Sequence, residues 1–414
     1  MIFQRKSYLQ ELISAESNGM IKVITGIRRC GKSFLLFNLY KNHLVQRGVK
    51  EDHIIQVNLE DRRNKKLRNP DALLSWIDER ITDSQQYYVL LDEIQLVPEF
   101  EDVLNSYLNI DNVEVYVTGS NAKFLSKDVI TEFRGRGWEI RVHPLSFEEY
   151  YEAVGGEKAV ALETYYLYGG LPAVVQLETK EQKQNYLREI YETVYLKDVV
   201  ERNRLHNKDG LRELVRVLAS GMGSSTNVRR ISNTFSSALN VNIGATTISE
   251  YIGHLQDAFI ISEALRFDVK GRKYIGTETK YYFEDVGIRN AILDFRQIEY
   301  NHTMENVIYN ELKRMRFSVD VGRVECFKRN DEGKIVRKNL EIDFVVNRHD
   351  ERLYIQSAYM LPDKEKMQQE QGSLLQVNDG FKKIIIAGDR YNSHYNEDGV
   401  LVLNIFDFLL QHEI

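Results

Sequence analysis

The chain has 414 residues, too many for one ordinary hydrophobic core, so two or three domains are expected. Its formal net charge of −6 excludes a global basic field, though a local basic face is compatible with it. The two cysteines, Cys30 and Cys326, exclude a disulfide framework; with no leader-like start and no apolar run of roughly 20 residues, a cytoplasmic protein is expected.

From about residue 20, short apolar runs alternate with helical stretches. Ile21 to Thr25 reads as a strand, Lys32 to Arg47 as a helix, and Ile54 to Leu59 as a second strand. A helix over Asp71 to Ile81 is opened by Pro70, Tyr87 to Leu91 forms a third strand, and another helix follows Pro98. Val113 to Thr118 and Trp138 to Val142 complete five strands joined by crossovers, the pattern of a parallel sheet with helices on both faces. Residues 146 to 205 read as helical and rich in tyrosine, with Tyr165, Tyr166 and Tyr168 as packing residues. Three helices follow from 210, the last over Thr246 to Ala258 with Ile248, Tyr251, Ile252 and Leu255 at helical spacing. Phe259 to Phe267 and Arg272 to Tyr274 read as the arms of a short hairpin, giving a winged-helix pattern. A helix over Thr303 to Met315 and strands over Leu340 to Asn347, Leu353 to Ser357, Lys383 to Ala387 and Val400 to Leu403 describe a small α/β domain.

Between the first strand and its helix, Gly26-Ile27-Arg28-Arg29-Cys30-Gly31-Lys32-Ser33 fits G-x-x-x-x-G-K-[ST], a phosphate-binding loop. Glycines let the backbone approach phosphates, and the helix N-terminus favours their negative charge. The nucleotide-binding set is therefore Gly26, Ile27, Arg28, Arg29, Cys30, Gly31, Lys32, Ser33 and Phe34. Lys32 is assigned to the β- and γ-phosphates and Ser33 to Mg²⁺. Tyr87 to Leu91 runs straight into Asp92-Glu93. Buried carboxylates need partners, and Mg²⁺ supplies one. Asp92 is assigned to the metal and Glu93 to the attacking water. Thr118-Gly119-Ser120-Asn121 ends the fourth strand, where Asn121 is the candidate for aligning that water. Arg134 and Arg136, set between glycines, are candidate fingers onto the γ-phosphate of a neighbouring subunit or residues of a surface turn. Cys30 reads as a tolerated variable position rather than a redox-sensitive thiol.

These motifs, together with Pro144-Leu145-Ser146-Phe147-Glu148-Glu149-Tyr150, Tyr168-Gly169-Gly170-Leu171-Pro172 and Tyr282-Phe283-Glu284-Asp285-Val286-Gly287-Ile288-Arg289-Asn290, resemble prokaryotic AAA-type ATPases that carry a C-terminal domain of unknown function. The resemblance covers nearly the whole chain. It implies a P-loop core with an additional strand, in which the catalytic-glutamate strand is not adjacent to the P-loop strand.

The Thr246 to Ala258 helix carries Glu250 and Asp257 and no Lys or Arg, which weighs against insertion into a DNA groove. Basic residues sit instead at Arg229 and Arg230 and on the hairpin, at Arg266, Lys270, Arg272 and Lys273. A contact module is the favoured reading of this part, and His254 reads as a helix-face residue. The C-terminal segment resembles the PD-(D/E)xK nuclease core, with Glu305 and Asp343 at two of its positions. Gln356 stands in the acid position and Ala358 in the lysine position, so the fold is expected without the cleavage.

The reading is an α/β chain: a P-loop NTPase (AAA-type) parallel sheet, then a winged-helix module and a small restriction-nuclease-like α/β domain. Its expected parts are the ATPase core over 1–150, a helical connector over 151–209, the winged-helix-like module over 210–285 and the nuclease-like domain over 286–414. ATP and Mg²⁺ are the expected cofactors of an ATP-dependent switch. DNA or a protein client, and a homo-oligomer, are the partners it suggests, with no membrane. The alternatives are an ATP-regulated nuclease of a defence-type system and a nucleic-acid-binding regulator that senses ATP with little turnover.

Overall fold

A computed structural model describes residues 1–120, 135–238, 243–296, 298–329, 334–410 and 414. The chain divides into two compact units, Met1–Pro144 with Asp257–Phe259, and Leu145–Gln256 with Ile260–Ile414. No described helix is long and apolar enough to cross a membrane.

The first unit is built on five strands: β1 (Ile21–Thr25), β2 (Ile54–Asn58), β3 (Tyr87–Asp92), β4 (Val113–Thr118) and β5 (Gly137–Arg141). They pair in the order β2-β3-β4-β1-β5, all in parallel. Every residue of β1 and β3 is buried, as expected where a parallel sheet is covered on both faces. Val57, Val89, Leu91, Val115 and Val117 share one core with Leu73 and Ile77 of the helix Pro70–Asp78 and with Leu104 of the helix Phe100–Tyr107. The first of these helices starts on Pro70, with Asn69 Oδ1 accepting from the Ala72 N–H at 2.9 Å. β4 lies between β3 and β1, which is the strand order the resemblance implied.

The helix expected over Lys32 to Arg47 is present, but not as regular α-helix. Lys32–Phe34 passes into a π-helical stretch, Leu35–Tyr40, and then into Lys41–Gln46. The added residue per turn keeps Leu35, Leu36 and Tyr40 all buried, a placement that sequence periodicity alone does not show.

In the second unit, the helices Phe147–Val154 and Lys180–Ile190 each open with a reciprocal capping box, Ser146 with Glu149 and Thr179 with Gln182. The helices Lys208–Ser220, Val228–Ala238 and Ala245–Asp257 follow, the last burying the expected Ile248, Tyr251, Ile252 and Leu255. The hairpin beyond them departs from the sequence reading. Its arms are β6 (Ile261–Asp268) and β7 (Lys273–Phe283), not a short wing ending at Tyr274. The stretch Gly276-Thr277-Glu278-Thr279 has no apolar run to mark it as strand and falls where the pairing with β6 shifts register; the pairing resumes at Lys280 opposite Ala264. β6 in turn pairs in parallel with β8 (Ser318–Arg329), so the hairpin belongs to the C-terminal sheet. That sheet also contains β9 (Ile335–Arg348), β10 (Glu351–Ala358), β11 (Lys382–Ala387), β12 (His394–Tyr395) and β13 (Leu401–Asn404). The order is β12-β13-β11-β10-β9-β8-β6-β7. β8 escaped the sequence reading because Gly322 sits at a register shift that interrupts its alternation.

The motifs that carried the family resemblance meet in one place in this unit. Asp285 caps the helix Val286–Ile292 by accepting from the Ile288 N–H at 3.0 Å, and it also accepts from the Gly170 N–H at 2.8 Å. Asn290 donates to the carbonyls of Tyr166 and Leu167 at 2.8 and 3.0 Å, and Leu145 N–H donates to Gly170 O at 2.8 Å. A side chain at Gly170 would run into the Leu145 carbonyl, and one at Gly287 into the Tyr168 carbonyl. These residues hold the unit together by backbone approach and buried hydrogen bonds.

Two outcomes are expected from this packing. Gly170→Ala should destabilise the protein by about 1–3 kcal/mol through overpacking, read as a lower denaturant midpoint. Burial pushes the Asp285 carboxyl up to about 6, with the N–H groups of Gly170 and Ile288 offsetting part of the effect. A carboxyl that holds its proton more tightly folded than unfolded contributes stability in acid and loses it as pH rises through about 6. Asp285→Asn should therefore flatten the stability profile between roughly pH 4 and 7, and an unchanged slope would count against this assignment.

Candidate functional site

β1 delivers the chain into the phosphate-binding loop at its carboxyl end. Gly26 has φ 140° and lies so close to Val142 that a side chain would strike the Val142 carbonyl oxygen. Gly31 has φ 103° and Arg29 φ 68°, so the loop turns back on itself through left-handed backbone. Lys32 is buried, its ammonium donating to the carbonyls of Gly26 at 2.9 Å and Ile27 at 3.1 Å. The side chain is thus folded along its own loop, within reach of whatever the loop encloses. Ile27 is buried and Phe34 is partly exposed.

At the neighbouring strand ends, Ser33 Oγ donates to Asp92 Oδ1 at 2.9 Å and Thr118 Oγ1 donates to the same oxygen at 2.6 Å. Burial raises the Asp92 carboxyl above the usual carboxylate range, against the lowering effect of Thr118 and Ser33. Glu93 takes left-handed backbone with φ 55°, and its N–H donates to Thr118 Oγ1 at 2.9 Å. That conformation turns the chain sharply off β3. Glu93 Oε2 accepts from Gln95 Nε2 and, at 3.3 Å, from Ser120 Oγ, while Arg28 Nε donates to Ser120 Oγ at 3.3 Å.

The donor set fits the magnesium–nucleotide group the motif implies. A hydroxyl and a carboxylate lie side by side at Ser33 and Asp92, below a loop that turns through positive φ at Gly26, Arg29 and Gly31. Beside them Gln95 Oε1 is a buried oxygen with no hydrogen-bond partner. Sequence reasoning missed Gln95, and of the Thr118-Gly119-Ser120-Asn121 stretch the structure brings Thr118 to Asp92 and Ser120 to Glu93. The only signal for Gln95 was its position two residues beyond Glu93.

Asn121 and Arg134 lie outside the described residues. Arg136 is exposed, and its carbonyl accepts from Ile21 N–H at 2.9 Å. This places it at the amino end of β1, with the P-loop at the carboxyl end, roughly 16 Å away at the usual rise per strand residue. Cys30 is fully buried with its thiol 3.3 Å from the Val142 carbonyl, so the thiol packs against backbone.

In the second unit the acidic positions of the C-terminal domain also converge. Glu305, on the helix Tyr300–Arg314, accepts from Tyr282 Oη at 2.7 Å and from Lys280 Nζ at 3.0 Å. Lys280 also meets Glu341 at 2.9 Å and lies 3.6 Å from Asp343. Asp343 Oδ2 accepts from the Ser357 N–H at 2.9 Å, and Gln356 Oε1 accepts from the Asp343 N–H at 3.3 Å. Burial, with the Glu305 charge adding to it, pushes Asp343 up to about 7. Ala358 is buried, and the cation that meets these carboxylates is Lys280, from the strand β7. The hairpin cation Arg266, which sequence reading offered to phosphate, is instead paired with Glu278 and, at 2.7 Å, with Glu341. Among the described residues no group of three or more His, Cys, Asp or Glu side chains is arranged to hold a metal ion.

A family model described as an AAA domain matches residues 18–151, and one described as a domain of unknown function matches residues 160–299. An uncharacterized protein of Haemophilus influenzae is 33% identical over 416 residues, covering 99% of this chain and 99% of its own. An uncharacterized protein of Methanocaldococcus jannaschii is 28% identical over 362 residues, 84% of this chain and 76% of that protein. Among solved structures, a Walker-type ATPase of Pyrococcus abyssi shares the fold at 15% identity and a TM-score of 0.51, over 70% of this chain and 96% of its own.

The packing of the two thiols gives a direct check. Cys30 and Cys326 are both buried, so neither should react with a thiol reagent in the native protein, and both should react in denaturant. Rapid labelling of Cys30 in the folded protein would show that the loop opens far more readily than its packing implies.

Proposed function

We propose that this chain, which belongs to one family with the uncharacterized Haemophilus influenzae protein and carries an AAA-type ATPase domain, binds ATP with Mg²⁺ at the P-loop and hydrolyses it to switch between states that act on a client. The observation that carries the reading is the Asp92 carboxylate, shared by the Ser33 and Thr118 hydroxyls at the foot of the P-loop. Magnesium, when bound with the nucleotide, would neutralise phosphate charge, and Ser33 and Asp92 are the residues to hold it. Lys32 exchanges its loop carbonyls for phosphate oxygens. Glu93 accepts from, and so orients, the attacking water. Gln95 and Ser120 set the direction in which Glu93 points.

Lys32→Ala should weaken ATP binding. Glu93→Gln should retain binding and lower turnover by about two orders of magnitude or more, the span that positioned acid–base groups supply. Nucleotide binding measured alongside phosphate release separates the two. Turnover of Glu93→Gln at the parent rate would remove Glu93 from the role.

At the far end of β1 from its own phosphates, Arg136 could reach a nucleotide only on another copy of the chain, and is otherwise a residue of a surface turn. If it acts there, the rate per chain should rise with protein concentration. Arg136→Ala mixed with Lys32→Ala should then regain activity that neither has alone. A rate per chain independent of concentration, with Arg136→Ala fully active, would rule this out.

The client in this proposal is a nucleic acid or a second protein. With Arg266 committed to carboxylates and Lys270 donating to the Glu325 carbonyl at 2.7 Å, Arg272 and Lys273 are the hairpin cations left to meet phosphate, so DNA binding should be weak, indifferent to sequence and steeply salt-dependent. Arg272→Ala with Lys273→Ala should shallow the slope of log affinity against log salt. Tight, salt-insensitive, sequence-specific binding would contradict this reading of the hairpin.

A further inference from the structure

The Lys280 ammonium lies in the middle of the carboxylate cluster of the C-terminal sheet. It is 3.0 Å from Glu305, 2.9 Å from Glu341 and 3.6 Å from Asp343. The side chain is 5% exposed, and Tyr282 supports Glu305 from the same strand. A buried lysine is tolerated only where carboxylates compensate its desolvation, and here three do so. The cluster borders a cavity of about 600 Å³ that is lined by Glu305, Asp343, Gln356 and Ser357. The carboxylates converge on one positive charge, and that charge is the protein's own ammonium.

We propose that this is a cation site whose resident cation is the Lys280 ammonium, and that Lys280 excludes divalent metal ions from it. Mg²⁺ needs oxygens at about 2.0–2.1 Å in near-octahedral array, which requires the space the ammonium nitrogen fills. Lys280 meets all three carboxylates, and Arg266 adds a second positive charge shared between Glu341 and Glu278. The third carboxylate, Asp343, has one oxygen taken by the Ser357 N–H. Gln356 gives its carbonyl oxygen to the Asp343 backbone instead of turning it to an ion. The arrangement reproduces the charge of a metal site with a covalently tethered cation that cannot dissociate. It also cannot polarise a bound water as a metal does. A cluster held this way supports no metal-dependent cleavage.

The test is Mn²⁺ binding to the full chain without nucleotide, by calorimetry and by the loss of the free-ion resonance signal. The chains compared are the parent, Asp343→Asn, Lys280→Ala and the Lys280→Ala/Asp343→Asn double variant. The parent and Asp343→Asn should give the same isotherm. Lys280→Ala should bind one additional Mn²⁺ per chain and rise in thermal midpoint with Mn²⁺, and the double variant should lose both effects. A Mn²⁺ ion bound by the parent and lost in Asp343→Asn would overturn the proposal. So would a folded Lys280→Ala that gains no ion. If Lys280→Ala does not fold alone, its refolding by Mn²⁺ supports the proposal, and otherwise the comparison of parent with Asp343→Asn decides.

Discussion

One buried carboxylate ties the first unit to its chemistry. Asp92 ends a strand that is buried along its whole length, where an ionised group without partners would be very costly. It is tolerated because Ser33 Oγ from the P-loop helix and Thr118 Oγ1 from β4 both donate to the same oxygen. The order β3-β4-β1 makes this possible. With β4 set between the other two strands, Thr118 stands next to Asp92 on one side and leads into Ser120, which reaches Glu93 and Arg28 on the other. Moving any one of these strand ends would break contacts belonging to the other two. The left-handed turn at Glu93 belongs to the same network, since its N–H is held by Thr118.

The second unit solves the same electrostatic problem differently. Glu305, Glu341 and Asp343 are also carboxylates at the edge of a core, but their positive partner is a side chain of the protein itself. Lys280 reaches them because β7 extends from the hairpin into the eight-stranded sheet. Extended strand pairing thus supplies an ammonium to a site whose own strand carries Ala358. The converging Gly169-Gly170 and Asp285 to Asn290 segments belong to this unit as well, and their work is structural: they carry backbone contacts and a helix cap.

Much of the first unit was legible in the sequence. Its strands are mostly apolar and mostly buried, as a parallel sheet covered on both faces requires, and the limits of β1 and β4 came out as read. The P-loop and the Asp92-Glu93 pair were legible because their chemistry demands fixed residue types at fixed spacing. Their partners were not: Gln95 and Ser120 are ordinary polar residues whose meaning comes from a turn at Glu93 that no local pattern announces. In the second unit the long-range pairing defeated local reading. β7 is polar through its middle, β8 shifts register at Gly322, and Lys280 acquires its role from residues 25 to 63 positions away that only the sheet brings near.

The most direct measurement is the dependence of ATP affinity on magnesium in the parent and in Asp92→Asn, by equilibrium titration with and without the metal. The parent should bind ATP more tightly when Mg²⁺ is present, and Asp92→Asn should lose most of that gain while keeping its metal-free affinity. An Asp92→Asn protein in which magnesium strengthens ATP binding as much as in the parent would contradict the proposal that Ser33 and Asp92 hold the metal.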